Sequence, residues 1–153
     1  MEKFDFNKVP HWYAVCNNDN CPMKETCLRY LSGSHLPGGI GTHICVMPSQ
    51  LKESQCRYLD VIRTETQAYG FLRLYDMVLK RDYTQMRKNL TLFFGGKTQY
   101  YQRLYGKCHI TPEQQTWLRD WLRKWGYDWE FPFDRMEEAY VFSQEPGQSS
   151  LKV

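Results

Sequence analysis

The chain of 153 residues lacks any run of eighteen uninterrupted apolar residues, so no membrane-spanning helix is expected. Its start, Met1-Glu2-Lys3-Phe4-Asp5-Phe6, lacks the basic and apolar regions of a secretory signal. A cytoplasmic protein is therefore expected. Catalytic signatures are missing too. Gly38-Gly39-Ile40-Gly41 has no following Lys-Ser/Thr, and Gly95-Gly96-Lys97-Thr98 has no upstream glycine, so neither makes a phosphate loop. Cys108 and His109 are sequence neighbours that point different ways, which makes a poor nucleophile–base pair. Glu137-Glu138 reads as a solvated face. The expectation is a protein that is not an enzyme.

Aromatic residues, by contrast, are plentiful. Eleven Tyr, eight Phe and five Trp are enough for a core, which excludes disorder over most of the chain. The net charge of +3 is unevenly spread. Residues 1–62 carry six basic and six acidic side chains, residues 63–127 carry twelve and five, and residues 128–153 carry two and six. A basic block followed by an acidic tail points to an anionic partner for the block.

Residues 1–50 are turn-rich, with one helix expected at Pro22–Leu31, ended by Gly33, and a strand at Thr42–Met47. From residue 71 the apolar spacing becomes helical: Phe71, Leu74, Tyr75 and Val78, then Met86, Leu90, Phe93 and Phe94. Asp82 with Gln85 reads as a capping box for the second of these helices, and Gly95-Gly96 as its stop. Lys97–Tyr105 is the next helix. Thr111-Pro112-Glu113-Gln114 then opens a helix whose Trp117, Leu118, Trp121, Leu122 and Trp125 fall on one core-facing stripe. A short helix near Asp134–Tyr140 completes a mainly α fold. It consists of a Cys-rich, irregular, β-poor lobe over 1–62, a bundle of about four helices over 63–142 and a flexible tail over 143–153.

Cys16, Cys21, Cys27 and Cys45 are spaced C-x4-C-x5-C-x17-C, with His43 two residues before the last. Four thiolates or imidazoles suit a tetrahedral zinc ion, ahead of an iron–sulfur cluster. The paired C-x2-C hooks of zinc ribbons are absent. The competing reading is reduced cysteines packed as small hydrophobes, and disulfides rank behind both in a reducing compartment. Cys56 and Cys108 stand apart in sequence and read as ordinary buried thiols.

Between Lys80 and Lys107 stand seven Lys/Arg and one acid, Asp82, interleaved with Tyr83, Tyr100, Tyr101 and Tyr105. Such a surface attracts phosphates and stacks on bases; otherwise it is a solvated helical face. Within it, Leu90, Thr91, Phe94, Gly95, Tyr101 and Leu104 occupy positions that resemble the helix-turn-helix of lambda-repressor-like proteins. That likeness spans residues 82–126, with Thr111–Trp125 as the following packing helix. The resemblance implies a recognition helix carrying Lys97, Thr98, Gln99 and Arg103, with Lys107 just beyond it. It also implies that Tyr101 and Leu104 anchor this helix while Arg103 faces solvent. As a whole the chain is similar to a family of small uncharacterised bacterial proteins, through Gln67-Ala68-Tyr69-Gly70-Phe71 and the Tyr100–Gln115 stretch. The resulting expectation is a nucleic-acid-binding, regulatory protein. The alternative is a protein–protein interaction module whose exposed tyrosines and charges meet another protein.

Overall fold

A computed structural model describes residues 3–52, 54–128 and 130–144. The expected tail therefore lies, beyond Gln144, outside the described residues. The chain divides into two compact units: Met1–Arg63 with the segment that begins at Tyr140, and Thr64–Ala139. No helix among the described residues is long and apolar enough to cross a membrane.

The first unit has little regular structure. Helix α1 spans Leu28–Ser34, and strands β1 (Leu51–Lys52) and β2 (Gln55–Cys56) form a minimal antiparallel hairpin. The strand expected at Thr42–Met47 is reduced to a parallel bridge between Val15 and Cys45. Helix α1 starts later than the expected Pro22, because Lys24–Thr26 forms a separate 3-10 turn. Gly33 lies inside α1 and does not end it. A β-carbon there would come within 2.2 Å of the Cys16 carbonyl oxygen, so this glycine serves close backbone approach.

Two buried charges organise this unit. The Asp60 carboxylate accepts hydrogen bonds from the Tyr13 hydroxyl (2.6 Å), the Ser143 amide (3.0 Å) and the Ser143 hydroxyl (2.7 Å). The Asp60 carbonyl takes the Leu28 amide. Arg29 donates to the carbonyls of Ala14 (2.8 Å) and Tyr58 (2.9 Å), with its guanidinium 4.5 Å from the centre of the Tyr13 ring. Tyr13 thus touches both charges, and it packs with Val9 and Leu28 against Phe4, Phe6, Leu31, Ile62, Tyr140 and Phe142.

The second unit is not the all-helical bundle that the spacing predicted. Of the described residues 39% are helical and 15% in strands, so the fold is not mainly α. Strand β3 (Thr64–Tyr69) pairs with β4 (Arg135–Tyr140), and Ala68 of β3 also bridges Ile110. The helix expected near Asp134–Tyr140 is therefore a strand. Its Met-Glu-Glu-Ala sequence favours a helix locally, but pairing with β3 satisfies its backbone and overrides that preference. The join is tight at Gly70 (φ +74°): its carbonyl accepts the Asp134 amide, and the Asp134 carboxylate takes the Leu72 amide.

Around this sheet stand α2 (Leu74–Met77), α3 (Tyr83–Phe93), α4 (Lys97–Leu104) and α5 (Pro112–Lys124). The Thr111–Gln114 capping box forms as expected. The one expected at Asp82 does not, because the Asp82 carboxylate instead accepts from the Tyr127 hydroxyl and Gln85 bonds Asn89. Phe71 is fully buried, stacked on Phe94 and edge-on to Tyr100 and Phe131. On α5 the fully buried residues are Leu118 and Leu122. The tryptophans sit at its margin: Trp117 is 39% exposed, stacked between Phe93 (3.7 Å) and Trp121 (5.8 Å). The expected core stripe is thus a leucine core flanked by a tryptophan ladder.

Leu122→Ala should lower the unfolding free energy by about 2–5 kcal/mol, the cost of a buried cavity. Trp117→Ala should cost only about 1–2 kcal/mol, chiefly lost stacking. Urea titration of both variants checks the order, and a larger loss at Trp117 would place the core on the ladder.

Burial pushes the Tyr13 hydroxyl well above the ordinary tyrosine range, aided by its hydrogen bond to Asp60, and burial with the Tyr75 hydroxyl does the same for Tyr100. A pKa raised in the folded state gives stability that is complete below the unfolded value, about 10, and lost as pH rises beyond it. Alkaline unfolding should therefore begin above about pH 10, and Tyr13→Phe should flatten that limb. Circular dichroism followed alongside tyrosinate absorbance provides the check; full tyrosine ionisation in an intact fold would contradict it.

Candidate nucleic-acid interface

The α3–α4 corner is built by two glycines. After α3, Gly95 (φ +86°) and Gly96 (φ +123°) take a left-handed backbone that side-chain-bearing residues rarely adopt. Nothing crowds either position, so conformation and not space demands glycine there. The chain then enters α4, whose first turn has no side-chain cap. Its amide groups and the positive end of its dipole lie beside the exposed Lys97, Thr98 and Gln99.

Tyr100 and Leu104, four residues apart, are the buried anchors of α4. Leu104 matches the expectation, but the partner anchor is Tyr100 and not Tyr101. Tyr101 is 41% exposed and lies parallel to the exposed Tyr105, ring centres 6.0 Å apart. Tyr100 instead bonds the Tyr75 hydroxyl and meets Phe71 edge-on.

Arg103 does not stand free in solvent as expected. It is half-buried, its Nη1 donating to Gln99 Oε1 (2.6 Å) and to the Gln99 carbonyl, with its guanidinium 5.3 Å from the Phe94 ring centre. Its Nε is buried without a hydrogen-bond partner among the described residues. The structure thus groups Lys97, Thr98 and Gln99 at the start of α4 and ties Arg103 to Gln99 one turn on. Lys107 is exposed but lies beyond the far end of a helix about 12 Å long. Gln99→Ala should free the Arg103 guanidinium from its Gln99 side-chain bond while changing stability by no more than about 0.5 kcal/mol, since Gln99 itself is exposed. Thermal unfolding checks this, and a larger loss would make the pair structural.

The expected metal set is not brought together as a whole. Cys16, Cys21 and Cys27 line one small cavity, but Cys45 is exposed and outside that lining, its thiol near the His43 carbonyl and the Asn17 amide. Cys56, set aside for its distance in sequence, takes the fourth place in the lining. Burial pushes the Cys16 thiol up, and the neighbouring Cys27, Cys21 and Cys56 push the same way against a hydrogen bond from the Asn18 backbone. Among the described residues, no group of three or more Cys, His, Asp or Glu side chains is placed to hold a metal ion. No local signal marked Cys56, which stands on β2 and lines the cavity from 29 residues beyond Cys27.

The family model described as "Family of unknown function (DUF6078)" matches residues 1–142, and the chain belongs to that family. No curated protein and no solved structure matches the chain significantly.

Proposed function

We propose that this is a non-enzymatic protein that binds nucleic acid, with α3, the glycine corner and α4 acting as a helix-turn-helix and α4 as its recognition helix. The observation that carries the reading is the uncapped start of α4, where amide N–H groups, Lys97 and the polar Thr98 and Gln99 are exposed together. A helix N-terminus with an adjacent lysine suits a backbone phosphate, and Gln99 suits a base edge. The basic side chains that precede it, Lys80, Arg81, Arg87 and Lys88, are all exposed and supply sequence-independent attraction.

A second reading, a protein-interaction module, is favoured by Leu92 of α3, which is 80% exposed. Salt separates the two. Fluorescence anisotropy with labelled duplex DNA should give an affinity that falls linearly on a log–log plot against salt. Lys97→Ala should weaken binding to every sequence alike and reduce the slope by about 1. Absence of salt-dependent affinity for any duplex or single strand would turn the assignment to protein interaction.

A further inference from the structure

The outward side of α4 carries aromatic rings that its role in the core does not require. Lys97, Tyr101 and Tyr105 follow at four-residue steps, and the Tyr105 amide still bonds the Tyr101 carbonyl, so the three stand in line along one side of the helix and its C-terminal cap. Tyr101 is 41% and Tyr105 58% exposed. Their rings are nearly parallel, 13° apart, with centres separated by 6.0 Å. Among the described residues no other ring meets Tyr105, so the stack ends there on an open side. A single exposed tyrosine is ordinary. Two that stack on one another at the surface form a flat platform.

A second observation concerns charge. Residues 83–112 hold five Lys/Arg and no Asp or Glu. Exposed Lys97 opens the tyrosine line, and exposed Lys107 stands two residues past its end. Burial raises the Tyr75 and Tyr100 hydroxyls, and the charge of Arg87 pulls against that rise at both, which brings the exposed Arg87 of α3 to the same corner. Arg103 takes no part, being held by Gln99 and Phe94. Cations around ring faces match a polyanion that itself carries flat rings. A duplex stacks its base faces inside and offers only edges in its grooves. An unpaired strand offers the faces as well.

We propose that the Lys97–Tyr101–Tyr105 side of α4 binds unpaired nucleic acid, with a base stacked on Tyr105 and the flanking phosphates met by Lys97 and Lys107. This rests on the nucleic-acid reading above and narrows it to single strands or melted segments. Tyr101 supports the Tyr105 ring from behind. Stacking releases no counterions, so the rings supply affinity that salt leaves in place, while the lysines carry the salt dependence.

The test is fluorescence anisotropy of the full chain at one salt concentration with three labelled probes: an oligodeoxythymidylate, the matching oligouridylate, and the duplex of the first with oligodeoxyadenylate. Single strands should bind more tightly than the duplex, and the tighter of the two identifies the sugar that the site takes. Tyr105→Ala should weaken single-strand binding about five- to a hundredfold with the salt slope unchanged. Tyr105→Phe keeps the ring and should bind like the wild type, whereas Lys97→Ala should lower the slope. Circular dichroism checks that Tyr105→Ala folds; if it does not, Tyr105→Leu, which keeps apolar bulk without a ring face, replaces it and should show the same loss. Tighter binding to the duplex, or single-strand affinity unchanged by loss of the ring, would overturn this inference and leave nucleic-acid binding standing. No affinity for any of the three probes would end both.

Discussion

The first unit depends on one buried carboxylate. Asp60 is 3% exposed, and a charge so far from water is tolerated only when hydrogen bonds replace its hydration. Those bonds come from residues distant in sequence: the Tyr13 hydroxyl, and the amide and hydroxyl of Ser143. Satisfying one side chain therefore dictates where the N-terminal segment, the Asp60 loop and the returning C-terminal segment must meet. Arg29, on the face of the Tyr13 ring, extends the arrangement to α1 and to the carbonyls of Ala14 and Tyr58. A unit with one seven-residue helix and a two-residue hairpin has few backbone ladders, so these side-chain bonds take over the work that regular structure does elsewhere.

The second unit rests on a more ordinary principle. Phe71, Phe94, Tyr100 and Phe131 pack ring against ring, and Leu118 and Leu122 close the core from α5. This packing decides which face of α4 is free. With Tyr100 and Leu104 inside, the first turn and the Tyr101–Tyr105 pair have to point outward. The proposed contact surface is thus a by-product of the core, and its outward face is where charge and aromatic rings occur together.

The start of α4 and the thiol-lined cavity differ in kind. The start of α4 presents rigid donors on a packed helix, a form suited to recognition. The thiol-lined cavity of the first unit is walled by short segments that carry no extended ladder of their own. Family membership covers the segments that carry both, because the match runs from residue 1 to 142.

How much was legible in the sequence follows from the range of the forces involved. The capping box at Thr111, the glycine corner at Gly95-Gly96 and the helices over 83–93, 97–104 and 112–124 follow from neighbours within four residues, and local rules reach that far. The Cys-rich character of residues 1–62 and the basic character of 80–107 are likewise matters of composition. The strand at Arg135–Tyr140, the failed cap at Asp82, the exchange of Tyr101 for Tyr100 as anchor and the replacement of Cys45 by Cys56 are decided by partners between 25 and 72 residues away. Local preference differs by fractions of a kcal/mol per residue. A strand ladder, a buried hydroxyl pair or a shared cavity outweighs that, and each exists only once the chain has folded.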